Sequence, residues 1–271
     1  MGARLGRRAI LLVYALLILL PLVVVVFGSF KTSTQLFGSP FAPPSAPTLR
    51  NYRSLFSSAN IGVPFMNSVI VTLTALVLTL LTGSLAAYGV ARIPGWRGWA
   101  IYGFLVLGMS VPVQASIVPL YVLFQNLNLT NSLTGLILIE VVRSIPVAVF
   151  ILGGFMRTLP REMYEASAVD GSGPWRTYAS VVMPLSAPSV AATAIFIFVI
   201  MWNDLLYPLM LTTDPSVQTL PLALLSFQGE YQTNYPTLFS AVIIASLPVV
   251  IAYVFLQRYF VAGLTAGATK G

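Results

Sequence analysis

The sequence contains no cysteine and no histidine. The first absence removes any disulfide framework and any thiolate nucleophile or metal ligand. The second removes the commonest general base near neutral pH and the commonest metal-ligating ring. Charge is also scarce, at 8% of the 271 residues, and only seven side chains are acidic. A soluble globular domain carries about 25% charged residues, so a soluble fold of this length would lack the charge to cover its surface. No Gly-x-x-x-x-Gly-Lys-Ser/Thr segment occurs, so the chain carries no phosphate loop of its own. A membrane-embedded enzyme would have to rely on a carboxylate pair, and Glu140 and Asp204 are the only candidates for one.

What is present is apolar. Hydrophobic residues make up 57% of the chain, and uncharged stretches run over 9–30, 54–91, 98–139, 177–203 and 231–257. A spanning helix needs roughly 20 apolar residues. Six spans fit, at about 8–30, 63–91, 99–124, 133–157, 186–211 and 237–260, giving an all-α integral membrane fold in one transmembrane domain, 1–271. Arg4, Arg7 and Arg8 before the first run resemble a signal peptide. The run is too long for one and ends without a small-x-small cleavage site, so it reads as an uncleaved first span. With the N-terminus in the cytoplasm, Arg4, Arg7, Arg8, Arg92, Arg97, Arg157, Arg161, Arg176, Arg258 and Lys270 face inward. Only Lys31, Arg50 and Arg53 face outward. That asymmetry supports a multi-pass protein with both termini cytoplasmic, and it accounts for the net charge of +7 without nucleic acid.

Between spans, the stretch 31–62 carries Pro40, Pro43, Pro44 and Pro47 and is expected to lie over the outer surface. The outer stretch 212–236, with Asp214, Glu230, Tyr231 and Tyr235, is either a connector or a contact for a partner outside the membrane. No internal repeat is evident, which disfavours a carrier built from repeated halves. Pro21, Pro112, Pro119, Pro146, Pro208 and Pro248 fall within spans; each removes a backbone donor and kinks a helix.

The stretch 157–185 is the most charged part of the chain. Pro160 suits the first turn of a helix, and Glu162 and Glu165 suit its positive end. Gly171, after Asp170, suits its stop. A helix of about 11 residues, roughly 16 Å long, is expected within 159–172. It is too short to span and too polar to lie deep in lipid. Ala166, Ser167 and Ala168 are small enough to let another surface approach. Gly171, Gly173 and Pro174 then turn the chain, and an amphipathic segment returns it to the membrane at Pro184.

These residues resemble the pattern of bacterial ABC importer membrane subunits: Glu-Ala-Ala, three residues, Gly, nine residues, Ile-x-Leu-Pro. The chain has Glu165, Ala166 and Ser167, then Gly171, then Val181, Met183 and Pro184 at that spacing. Ser167, Val181 and Met183 depart from it conservatively. Leu49-Arg50-Asn51-Tyr52, Trp202-Asn203-Asp204 and the tail 263–271 resemble the carbohydrate branch, specifically MalG-like subunits. The resemblance covers nearly the whole chain. It implies the type I ABC importer permease fold of six transmembrane helices, with a short cytoplasmic coupling helix carrying Glu165, Ala166, Ser167, Asp170, Gly171 and Pro184. It implies a cytoplasmic tail (261–271) whose Gly267, Thr269 and Lys270 contact the ATPases. It also implies a related second permease subunit in a heterodimer, two ATPase subunits and an external sugar-binding protein. The setting is the bacterial inner membrane, with no cofactor bound by this chain and ATP and Mg used by the ATPases. The expected substrate is a mono-, di- or oligosaccharide, or a sugar derivative such as glycerol phosphate. A stand-alone channel or carrier would leave the loop and the tail unexplained.

Charges inside a bilayer are costly and face a cavity or a partner. Glu140 and Arg143 share a helix face at three residues' separation. Asp204 follows Asn203 in span five. With Asn67, Gln114 and Tyr207, and with Ser68, Ser144 and Tyr121 beside them, they are candidates for a sugar path, since sugars bind through hydroxyl-directed hydrogen bonds and aromatic faces. Two readings stay open for each charged group. Glu140–Arg143 is a structural ion pair or part of that path. Asn203–Asp204 is a packing or subunit contact or part of it.

Overall fold

The computed structural model describes residues 2–57, 60–227 and 234–268, with side chains described over 6–57, 60–227, 234–255 and 257. Among these residues every regular element is helical. In chain order the α-helices are α1 (Gly2–Ser29), α2 (Ser33–Gly38), α3 (Arg50–Ser57), α4 (Gly62–Arg92), α5 (Gly95–Leu107), α6 (Val113–Asn126) and α7 (Leu133–Met156). Then follow α8 (Arg161–Val169), α9 (Pro174–Thr177), α10 (Met183–Leu185), α11 (Ala187–Trp202), α12 (Leu206–Leu211), α13 (Leu220–Leu225) and α14 (Tyr235–Ala268).

Helices are what a bilayer allows, because each backbone polar group must find its partner within the segment. Gly6–Ser29, Gly62–Arg92, Leu133–Met156 and Tyr235–Phe255 are long and apolar enough to cross a membrane. Two further pairs qualify only together: Gly95–Ser110 with Val113–Asn126, bent by 90°, and Pro174–Leu185 with Ala187–Trp202, bent by 76°. With each pair taken as one span, the count is six.

The 90° bend at Pro112 is far sharper than the proline kink expected within 99–124, and the 76° bend falls at Ser186, where the span expected over 186–211 begins; proline chemistry explains the first. Pro112 has no N–H and bars the preceding residue from helical geometry. Val111 is accordingly extended, at φ −75° and ψ 114°. Near the end of the fifth expected span, α11 stops at Trp202. Asn203 turns its amide back to the Val199 carbonyl at 2.8 Å. The Asp204 carboxylate then accepts from the Tyr207 N–H at 3.2 Å and starts α12.

The chain packs as two compact units. One comprises residues up to Phe65 with Leu220–Pro248, the other Met66–Thr219 with Val249 onward. In the first, the end of α1 is tied down by polar groups. Asn51 donates to the carbonyls of Ser29 (2.8 Å) and Lys31 (2.9 Å). The Tyr52 hydroxyl donates to Ser29 Oγ (2.8 Å), and Ser240 Oγ to the Ser29 carbonyl (3.1 Å). Lys31 is 1% exposed. Its ammonium is held by the carbonyls of Ser39, Pro40 and Ala42, at 2.8, 3.3 and 2.6 Å. The proline-rich stretch after α2 is therefore wound around a buried cation.

In the second unit, three apolar clusters follow one another along α4 and α7. Val71 clusters with Leu136 and Ile139, Ala75 and Ala148 share a cluster with Ile197 and Met201 of α11, and Ala87 and Tyr88 cluster with Leu152 and Met156. The middle crossing uses small residues: a Cβ at Gly83 would sit 2.6 Å from that of Ala148. Lipid supplies no hydrophobic drive between helices, so close backbone approach at small residues carries such contacts.

Candidate functional site

The second unit holds two groups of residues singled out by the sequence. The first is built around α8, nine residues and roughly 13 Å long. It begins after Pro160, carries Glu162 in its first turn, and ends at Asp170. Gly171 has φ +71°, a conformation that costs most residues a Cβ clash. Its N–H donates to the Ala168 carbonyl (3.0 Å) and that of Ser172 to the Ser167 carbonyl (2.9 Å). Together these bonds form the Schellman termination that a glycine at this position allows.

Glu165, Ala166, Asp170, Gly171 and Pro184 are exposed. Ser167 is not. It is 6% exposed, and its hydroxyl bonds that of Thr177 at 2.8 Å. Of the three small residues expected to admit another surface, Ser167 instead faces inward and fastens α8 to α9, leaving Ala166 and Ala168 outside. The outward side also carries Val169, 88% exposed, with Trp175, 73% exposed, at the start of α9.

The anchoring of α8 is not legible in the sequence. Tyr88, near the end of α4, lies 6.5 Å from the Tyr164 ring of α8 and 5.4 Å from Tyr178. Its hydroxyl donates to the Pro174 carbonyl at 2.9 Å and accepts from Arg92 Nη1 at 3.1 Å. Ser84 and Tyr178 share a hydrogen bond of 2.7 Å. Tyr164 also reaches the Met156 carbonyl of α7, at 3.4 Å, and burial pushes its phenol pKa up. Tyr88, Tyr164 and Tyr178 thus link α8 and the segment after it to α4 and α7. The segment Tyr178–Val182 is a π-helical turn, the kind of local irregularity found at functional positions in helices.

The second group lies where α7 and α12 meet. Arg143 Nη2 is 2.7 Å from Glu140 Oε2, and Nε donates to the same oxygen at 2.9 Å. Asp204 Oδ1 is 3.8 Å from Nη2, and the guanidinium carbon sits 5.2 Å from the Tyr207 ring centre. Arg143, Ser144 and Tyr207 line a largely apolar cleft of about 540 Å³, which also takes in Ser116 of α6 and Ile200 of α11. Glu140, Arg143, Asp204 and Tyr207 thus come together as one charged cluster at a cleft wall.

The other candidates stand apart. Asn67 is 7% exposed and donates to the carbonyls of Ser216 and Gln218, at 2.8 and 2.9 Å. It ties the start of α4 to the stretch after α12. Asp214 caps that stretch, and the bonds it accepts from Ser216 hold its carboxyl below the usual range. Gln114 and Asn203 are exposed and outside the cleft lining. Gly267 falls within α14, and the tail residues Thr269 and Lys270 lie outside the described residues.

Both groups fall within the part of the chain that matches a known family. Residues 79–266 match the family described as binding-protein-dependent transport system inner membrane component. The chain is 37% identical over 267 residues to the diacetylchitobiose uptake system permease protein NgcG of Streptomyces coelicolor, covering 97% of this chain and 88% of that protein. It is 36% identical over 254 residues to the sulfoquinovosyl glycerol transport system permease protein SmoH of Agrobacterium fabrum, covering 93% and 89%. Among solved structures, a chain of a bacterial ABC transporter involved in the import of the acidic polysaccharide alginate superposes with a TM-score of 0.80 at 18% identity, over 94% of this chain and 95% of that one.

Proposed function

This chain belongs to the family of binding-protein-dependent transport system inner membrane components, and on that premise we propose that it is a membrane subunit of an ATP-driven sugar importer. The observation that carries the mechanism is the way α8 is held. Its outward side is exposed while its inward side is fixed to α4 and α7 through Tyr164, Tyr88 and Tyr178. A partner that grips Glu165, Ala166 and Asp170 and moves can pull on two long helices at once. The sequence has no Gly-x-x-x-x-Gly-Lys-Ser/Thr phosphate loop, and in this reading the stroke comes from separate ATPase subunits, which use the ATP and Mg. With a related permease subunit, two ATPases and an external binding protein, the spans form half of a translocation path that opens alternately to each side. Both termini are cytoplasmic in this reading. The tail 261–271 reaches the ATPases, and the chain itself performs no catalysis.

Sugar chemistry is supported by two relatives with unlike cargoes: an acetylated amino-sugar disaccharide and a sulfonated sugar glycoside. What the two share is the glycoside class, and the proposal carries that class, from monosaccharide to oligosaccharide. The cluster of Glu140, Arg143, Asp204 and Tyr207 borders the path, where a guanidinium and a phenol ring suit sugar hydroxyls and faces. The test is uptake by proteoliposomes holding the assembled complex, loaded with ATP and screened across labelled glycosides with their binding protein. Uptake that needs both ATP and the binding protein is expected; uptake of glycosides without either sinks the reading.

A further inference from the structure

The end of α4, the start of α5, the end of α7 and the start of α8 enclose a cleft of about 380 Å³. It lies away from the Glu140–Arg143–Asp204 cluster and takes no part in the cargo path proposed above. Its walls hold three guanidinium groups, Arg92, Arg157 and Arg161, against one carboxylate, Glu165. Among the described residues the ion pairs all involve Arg143, so none of these three cations is neutralised by a carboxylate.

Arg157 is held in place rather than loose. Its Nη2 donates to the Gly98 carbonyl at 2.7 Å, and its guanidinium carbon lies 4.1 Å from the Trp99 ring centre and 4.6 Å from that of Tyr102. Its Nε is buried without a hydrogen-bond partner, which leaves a fixed cation with a donor to spare. Arg92 is steadied by the Tyr88 hydroxyl at 3.1 Å.

The surroundings indicate what kind of anion fits. α5 leaves the cleft with Trp96 and Trp99 exposed in its first turns, at 76% and 64%, and Phe104 and Leu107 exposed further along, at 75% and 62%. From the cleft's cations, carried by the ends of α4 and α7 and the start of α8, α5 leads on through indoles to bare apolar side chains. Phosphate, interface and acyl chain are layered in the same order in a bilayer leaflet. A soluble anion would need the cations and not the apolar run beyond them. We propose that this cleft binds the phosphate headgroup of an anionic phospholipid, with its acyl chains along α5. The site lies beside Glu165, so an occupied headgroup would brace the root of α8.

The test uses the complex purified with its co-expressed partners and equilibrated in nanodiscs of mixed phosphatidylcholine and phosphatidylglycerol. Lipids retained on the complex are counted by native mass spectrometry. The wild type is expected to retain phosphatidylglycerol selectively. Arg92→Gln with Arg161→Gln should weaken that retention at least about tenfold, since a hydrogen bond to a charged group contributes about 1.5–3 kcal/mol. Glu165→Gln, which removes the opposing carboxylate and leaves the arginines, should strengthen it several-fold. Equal retention of the two lipids, or no gain with Glu165→Gln, overturns the proposal. So does displacement of the lipid by inorganic phosphate alone, which marks a site for a free anion. Loss of ATPase subunits from the double variant with phosphatidylglycerol unchanged also overturns it, by giving the arginines to partner carboxylates.

Discussion

Replacing Gly171 separates backbone geometry from surface contact at the end of α8. A Cβ added there meets nothing within 4 Å, so within this chain the cost of a side chain is conformational only. The left-handed φ of +71° costs an ordinary L-residue roughly 1–2 kcal/mol. Alanine also narrows the unfolded chain, which offsets about 0.4–1 kcal/mol, and leaves a net loss near 1 kcal/mol. Asparagine tolerates this region and loses less, while a β-branched valine loses more. One kcal/mol is a factor of about five in the population of α8 with its Schellman bonds open. Glycine, asparagine, alanine and valine should therefore fall in that order, both in protection of the Ser172 amide from hydrogen exchange and in glycoside moved per ATP hydrolysed. If glycine is instead needed because a partner surface presses on it, asparagine, the larger side chain, will be worse than alanine. That inversion, or four equal variants, refutes the argument from geometry.

The charged cluster gives a second test. Glu140→Leu alone leaves the Arg143 cation with one carboxylate, Asp204 at 3.8 Å, beside the Tyr207 ring and should destabilise the detergent-purified complex by about 3–5 kcal/mol. Glu140→Leu with Arg143→Leu should recover much of the melting temperature. A double variant that melts normally but takes up no sugar assigns the pair to the path, and one that melts and transports normally makes it structural. In the first unit, Asn51→Ala removes the side-chain donor from the Lys31 carbonyl and leaves the Ser29 carbonyl with Ser240, which should cost about 1–3 kcal/mol. Faster protease cleavage within 33–57 is the expected sign, and unchanged cleavage contradicts the clamp.

Much of this fold can be read from the sequence, because a spanning helix announces itself by length and apolarity alone. The stop at Gly171 was equally legible, since local backbone chemistry determines it. The bends at Pro112 and Ser186 were not. A proline inside an apolar run is compatible with a mild kink or a right-angle turn, and packing decides between them. Glu140 and Arg143 could be paired from their spacing, but Asp204 joins them only through the approach of α12 to α7. Asn67 is a candidate cargo contact by its polarity, yet its amide is occupied by two backbone carbonyls. Its polarity was visible and its partners, some 150 residues away, were not. The tyrosines that anchor α8 escaped notice for the same reason, with Tyr88 and Pro174 separated by 86 residues. In an apolar chain an aromatic residue carries little signal until its neighbours are known.

The central claim is that force enters this subunit through α8, and the most direct measurement is the number of glycoside molecules moved per ATP hydrolysed in reconstituted complex carrying Glu165→Lys. Glu165 is exposed at the rim of the arginine cleft and makes no ion pair among the described residues, so the change reverses a surface charge of α8 without breaking an ion pair. An assembled complex that still hydrolyses ATP is expected, with transport per ATP lowered at least about tenfold. A transport-to-hydrolysis ratio equal to that of the wild type would contradict it.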